Sequence, residues 1–414
     1  MSELTRIHFL QYAAYADGSI FTGAPAAPLK FLRPSNNPTI DTGFTYPERA
    51  FQTGNNENLP ALRGQQSLSV SDLSFALYGL SGGGAGVGVS SATLDTCCSE
   101  LVSCLTGSLP EDNEGDTTDA LAPGSGNIVT VAAPPGAPVT DGGGMLVKEA
   151  TSGKYVAREV VALAGADYTV DRDLTDDTGA SGAPEAGSDI YAARSFYFDN
   201  ANENSTHFYF DTETEGSRKK LEGCYSSASI QFPAGQYAGL NLSGIQCTRW
   251  VDDIKANPTY IEPDRGDNMV VTDSPFWIGN TQYQAFDFSL DFGIAMSERR
   301  NEAADNGTSG FVATNRMPVL SGKIRLGALT GPDEMTDAIM EGFRGAENFS
   351  TTTADIALQV GRSAGSCIYI RFPAGQLRLI KEDSNGQRCL GFTCTATESP
   401  NQDTIPGACR IHIF

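Results

Sequence analysis

Ser229-Ile-Gln-Phe-Pro-Ala-Gly-Gln236 and Ile368-Tyr-Ile-Arg-Phe-Pro-Ala-Gly-Gln376 carry the same pentapeptide, Phe-Pro-Ala-Gly-Gln, 140 positions apart. An alternating strand leads into each copy. Proline has no N–H to give to a ladder, so both copies are expected at a strand end or an edge. The two halves around them share an order of long strand, helix, strand and pentapeptide. That order predicts an internal duplication, with Phe232 and Phe372 at equivalent core positions.

Working outward, the clearest half-buried strand is Phe286–Phe292, where Phe286, Phe288, Leu290 and Phe292 alternate with Asp287, Ser289 and Asp291. Ser67–Tyr78 alternates too, with a one-residue slip that predicts a β-bulge near Ser71-Asp72. Further strands are expected at Phe196/Phe198, Phe208/Phe210, Ile324–Ala328, Ile356–Val360, Cys389–Thr395 and Arg410–Phe414. A helix is expected over Ala92–Leu105, with Gly107 as its stop, and a second over Pro332–Phe343, capped by Thr330 and ended by Gly345. Gly82–Gly88 reads as a mobile loop. Its glycines are too close-set for a dinucleotide fingerprint.

Residues 127–194 differ in texture. Short strands at Ile128–Val131, Met145–Lys148, Tyr155–Val161, Tyr168–Val170 and Ile190–Ala193 predict a small inserted β-barrel. The expected organisation is an extended N-terminal arm (1–60), a first β-sandwich or barrel domain (61–126 and 195–250), the insert (127–194) and a second such domain (251–414). The fold class is mainly β, each large domain having one flanking α-helix.

The chain has 414 residues, 45 of them Gly, only 28 Lys and Arg, 3 His and a formal charge of -22. Such a surface repels phosphate and anionic lipid, so neither grasping of nucleic acid nor docking on a membrane is expected. The opening residues lack a signal-peptide pattern and no apolar run is long enough to span a bilayer. Nine cysteines, an odd number, are then expected as free thiols in a reducing cytoplasm. The Asn-x-Ser/Thr triplets at Asn204, Asn241, Asn306 and Asn348 are read as chance.

No catalytic, cofactor-binding or metal-binding residue is assigned. His8, His207 and His412 lie in separate segments, without Ser-His-Asp or zinc-helix spacing. Cys97, Cys98 and Cys104 fall on one helix face and suit core packing. Cys389 and Cys394 are five apart on a strand and face opposite sides. Asp287 and Asp291 share a solvated or lumen-facing side. Asp171-Arg-Asp and Asp211–Glu215 lack the turn signals of a calcium loop. Trp250 and Trp277 have no paired carboxylates beside them. No enzyme activity is expected.

Three segments resemble the tail tube proteins of long-tailed bacteriophages: Ala61–Gly79, with its Arg63-Gly64 start; Tyr225–Gly244; and Gly365 to Phe414. The resemblance implies tail-tube-type domains stacked as rings around a channel through which genomic DNA passes without specific binding. It also implies other tail proteins at the tube ends, a place in the virion tail, and assembly in the bacterial host cytoplasm. A duplicated chain would close as a trimer with pseudo-sixfold symmetry; six chains, each with a decorative second repeat, is the alternative. The competing readings are a tail-tip, tail-completion or capsid-decorating subunit, and a carbohydrate-binding or hydrolytic virion module.

Overall fold

The computed structural model describes residues 9–14, 30–32, 34–35, 40–45, 65–77, 99–107, 111–112, 127–130, 141–148, 150, 153–174, 188–198, 208–213, 218–253, 269–272, 274–300, 308–325, 353–384, 387–397 and 407–414. These are mainly β, with one short helix. The first part contains β1 (Phe9–Ala14), β2 (Lys30–Leu32), β3 (Ile40–Thr45), β4 (Gln65–Val70), β5 (Leu73–Ala76), α1 (Ser99–Thr106) and β6 (Glu111–Asp112). The insert contains β7 (Ile128–Thr130), β8 (Gly144–Lys148), β9 (Tyr155–Ala164), β10 (Asp167–Val170) and β11 (Asp189–Ala192). Then come β12 (Arg194–Tyr197), β13 (Phe208–Glu213), β14 (Arg218–Phe232) and β15 (Gly239–Asp253). The last part holds β16 (Phe276–Ile278), β17 (Thr281–Tyr283), β18 (Ala285–Asp291), β19 (Ile294–Arg300), β20 (Thr308–Arg316), β21 (Val319–Arg325), β22 (Thr353–Val360), β23 (Ile368–Ser384), β24 (Gln387–Ala396) and β25 (Arg410–Ile413).

The pairings reveal a duplication. Counting β4 and β5 as one interrupted strand, the first ladder runs β2-β1-β13-β14-β15-β5/β4-β3. The second runs β17-β16-β22-β23-β24-β21-β18. Each strand of one has a counterpart at the same place in chain order, and every pairing is antiparallel. The ladders join where β18 pairs with the last residues of β14, Ser229–Phe232 opposite Asp291–Phe288.

The marker from which the duplication was expected is wrong, however. Phe232-Pro-Ala-Gly-Gln ends β14 and forms its turn into β15, with Gly235 at φ 72° and the Gln236 N–H donating to the Pro233 carbonyl at 3.1 Å. Phe372-Pro-Ala-Gly-Gln lies inside β23 and ends nothing. Proline is tolerated there because Pro373 and Ala374 bulge, two residues facing one, between the pairs Phe372–Ile356 and Gly375–Ala354. The same bulge occurs in β14, between the pairs Leu221–Phe210 and Cys224–Phe208. The counterpart of Phe372 is therefore Leu221, not Phe232. All three side chains are fully buried in one core.

That core also bears on the domain boundaries. One cluster takes in Phe75, Phe210 and Leu240 from the first ladder, Leu101 from α1, and Phe276, Leu320, Leu358 and Phe392 from the second ladder. The halves thus share a continuous sheet and a continuous core. Nor do the described residues of the expected arm stand apart: β1, β2 and β3 are strands of the first ladder, matching β16, β17 and β18. Phe276 stacks on Phe392 with centroids 4.7 Å apart, and Phe198 meets Phe292 edge-on at 5.1 Å across the halves.

Other expectations fare variously. The described helix is Ser99–Thr106, buried along Leu101, Val102, Cys104 and Leu105, and Gly107 ends it at φ 83°. The slip at Ser71-Asp72 is present, but it is not a bulge. Val70 faces Ile245 and Leu73 faces Leu242 in unbroken register, because Ser243-Gly244 on β15 makes the same excursion. Phe196 and Phe210 lie in strands that do not pair with each other: β12 pairs with β25 and β6, while β13 pairs with β1 and β14. The insert is a five-stranded antiparallel sheet, β11-β8-β9-β10-β7, with its own core of Val129, Met145, Val160 and Tyr168. Among the described residues its outer strands are not joined, so the expected barrel is an open sheet here. Ala92–Cys98, the Gly82–Gly88 loop, Leu326–Ala328 and the Pro332–Phe343 helix lie outside the described residues, as do His8 and His207.

Candidate functional site

The main sheet carries polar residues where it meets the insert. In β23, Ile368, Ile370 and Phe372 point into the large core, so Tyr369 and Arg371 point the other way. In β25, Ile411 and Ile413 point inward and Arg410 and His412 outward. In β22, Ile356, Leu358 and Val360 are core, while Asp355, Ala357 and Gln359 face out. On the insert, β9 turns Val156 and Val160 to its own core and Ala157 and Glu159 to the main sheet. The two outward faces close on each other.

Glu159 sits at the centre, fully buried. Its carboxylate accepts from Arg371 Nη1 at 2.7 Å and from Arg410 Nη1, and His412 Nε2 lies 3.4 Å from its other oxygen. Burial alone would raise its pKa; the Arg371 and Arg410 guanidiniums overcome that and hold it at about 2. Arg371 also donates to Asp355, from Nη2 at 2.7 Å and from Nε at 3.2 Å. Arg172 Nη2 donates to the same carboxylate at 2.6 Å. Tyr369 donates its hydroxyl to Asp171 at 2.6 Å and accepts from Arg172 at 3.2 Å. Burial pushes that phenol well up. Trp277 of β16 lies under two guanidiniums, Arg158 at 4.9 Å and Arg172 at 5.7 Å from the ring centroid. Gln359 caps the edge of the insert, accepting from the Ala157 N–H at 2.9 Å and donating to the Tyr155 carbonyl at 3.2 Å.

Ser195, His412 and Glu159 stand in the order of a hydroxyl–imidazole–carboxylate relay, which chain spacing does not reveal. Ser195 Oγ is 2.9 Å from His412 Nδ1 and accepts from the Gly144 N–H at 3.2 Å. With the hydroxyl donated to Nδ1, the Nε2–H points at Glu159. All three residues are fully buried. A Cβ built on Gly144 would stand 2.6 Å from the His412 Cβ, so the packing around the imidazole has no slack. No acyl group reaches Ser195 without parting the insert from the sheet. The geometry is that of a fastening rather than of an exposed nucleophile.

The other residues weighed in the sequence are dispersed. Asp171 and Arg172, passed over as part of a calcium loop, belong to the buried cluster. Asp287 and Asp291 are exposed, and Asp287 pairs with Lys323 at 3.4 Å. Cys394 joins the main core, whereas Cys389 is buried outside it. Trp250 packs at the rim of the main core. Among the described residues no group of three or more His, Cys, Asp or Glu is placed to hold a metal ion, and no helix is long and apolar enough to cross a membrane. The legible signal was Ile-Tyr-Ile-Arg-Phe and Arg-Ile-His-Ile-Phe: charged residues alternating with core residues in strands covered on both sides. No family model matches the chain, and no curated protein matches it.

Proposed function

We propose that the chain is a structural subunit of a phage tail tube, polymerising as stacked rings around a channel for genome passage. The observation that carries this is the repeated seven-strand ladder, joined within the chain edge to edge through β14 and β18. A protein that already adds one repeat to another by strand pairing has the means to add further copies the same way. Three chains would supply six ladders and a pseudo-sixfold ring. The charge of -22 suits a conduit that must let DNA slide without holding it. The buried cluster fits this role as a rigid mount that would keep the insert at a fixed place on each ring.

The test is assembly of the purified chain, followed by sedimentation and negative-stain microscopy. Rings or tubes with an acidic lumen are expected. A basic lumen would contradict the conduit. A chain that stays monomeric, and is present in few copies per virion, would instead be a tail-tip, tail-completion or decorating subunit.

A further inference from the structure

The β14–β15 ladder runs from Arg218 opposite Asp253 to Gln231 opposite Gly239, and midway along it Cys224 stands directly opposite Cys247. Residues so opposed in an antiparallel pair have Cα atoms about 4.5–5.5 Å apart and side chains on one face. A disulfide spans Cα separations of about 4.4–6.8 Å, so the register already meets its first requirement. Both side chains lie on the main core. Cys224 is fully buried in it, and Cys247, half-buried, packs against it. Burial first, and then the neighbouring Cys247, push the Cys224 thiol well up, so the two groups feel each other. Cys224 donates its S–H to the Leu221 carbonyl at 3.4 Å, a weak bond that a cross-link would release.

The duplication shows that the fold does not require thiols at this register. The bulges align Leu221 with Phe372 and Cys224 with Gly375. Gly375 stands opposite Ala396 in β24, so the second ladder has Gly and Ala where the first has two cysteines. Two further ladder cysteines face other residue types: Cys389 stands opposite Arg325 and Glu382, and Cys394 opposite Leu320 and Leu377.

We propose that Cys224 and Cys247 are a modification site, a cross-strand disulfide that fastens β14 to β15 when the chain meets an oxidising medium. The co-reactant is a low-molecular-weight disulfide of the glutathione class. Cys247, the more accessible thiol, loses its proton and attacks one sulfur of that reagent, which forms a mixed disulfide and releases one thiolate. Cys224, deprotonated in turn, attacks Cys247 Sγ and expels the second thiolate. The two cysteines are oxidised, and the reagent is reduced to two thiols that take up the two protons. Burial holds both cysteine thiols up, so exchange is slow in the folded chain and fastest while the hairpin forms, before its core closes. The pair stays reduced in a reducing cytoplasm and becomes a staple outside it. The inference stands apart from the assembly reading and does not depend on it.

The test treats the reduced full chain with oxidised glutathione in two arms, one kept folded at about pH 9 and one refolded from urea. Remaining thiols are alkylated in urea, and the peptides are mapped without reductant. The expected product joins Cys224 to Cys247, lighter by two hydrogens than the reduced pair, and it forms sooner in the refolding arm. Oxidation should raise the melting temperature of the native chain above that of Cys247→Ala, which installs the residue found at the matching place in the second ladder. Reductant should abolish the gain. A chain with its native melting transition whose Cys224 and Cys247 both still alkylate after oxidation overturns the proposal. So does a disulfide joining either of them to a different cysteine. If refolding fails, the folded arm decides, and if Cys247→Ala folds poorly, the peptide map of the native chain decides.

Discussion

Glu159 and Arg371 lie 212 positions apart in sequence, yet their side chains meet at 2.7 Å in a buried contact between the insert and the second ladder. Removing one partner of such a pair leaves the other charge uncompensated, at a cost of about 3–5 kcal/mol. Glu159→Gln should therefore lower unfolding stability by roughly that amount. Hydrogen exchange should show β9 loosened more than β14 or β24. Uniform loss of protection across all three would argue against a local fastening.

The same carboxylate gives the stability a particular pH dependence. Glu159 has a folded pKa depressed from 4.5 to about 2. Between those values the unfolded chain binds the proton and the native chain does not, so the stabilisation is full above pH 4.5 and is lost as pH falls through about 2. Urea denaturation from pH 5 down to pH 2.5 should show native stability falling more steeply than that of Glu159→Gln. Parallel profiles would mean that folding leaves the Glu159 pKa unshifted.

Gly144 makes the close approach on the insert side. A methyl group there would meet His412 and Ala193 at 2.6 to 2.8 Å. Gly144→Ala is expected to destabilise by about 1–3 kcal/mol through overpacking. Nearby Gly153→Ala, with nothing within 4 Å but φ +66°, should cost about 1 kcal/mol, from backbone strain alone. Chemical denaturation of the two variants separates packing from strain, and equal losses would contradict the tight seam.

The alternation in the strands was legible from the residues, because a strand half-buried on a core shows its period directly. The five short strands of the insert were legible for the same reason. The buried cluster was not. Its parts come from β9, the turn after β10, β22, β23 and β25, and only pairing across the whole chain brings Glu159 to Arg410. The duplication was legible as an order of elements, but not in its register. Phe-Pro-Ala-Gly-Gln serves a turn in one place and a bulge in the other, because a proline after an apolar residue satisfies either. The short strands before residue 46 were expected in an extended arm, because Pro- and Asn-rich connections hide that they pair with strands far away in sequence.

The cysteines give a further check. Cys224 stands opposite Cys247 across β14 and β15, both as free thiols. Burial pushes both up, Cys247 to about 12, with Glu222 adding to the effect there. Thiolate is the reactive form, so alkylation at pH 8 should leave Cys224, Cys247 and Cys409 unlabelled in the native chain and label them fully in urea. Mass spectrometry of the peptides reads this out. Rapid native labelling of Cys224 would contradict the described core.

The central claim, a duplicated chain that builds a tube, is tested most directly by the mass per ring of the assembled tube, measured by electron microscopy. Three chains per ring, six ladders in all, is the predicted result. Six chains per ring would contradict it.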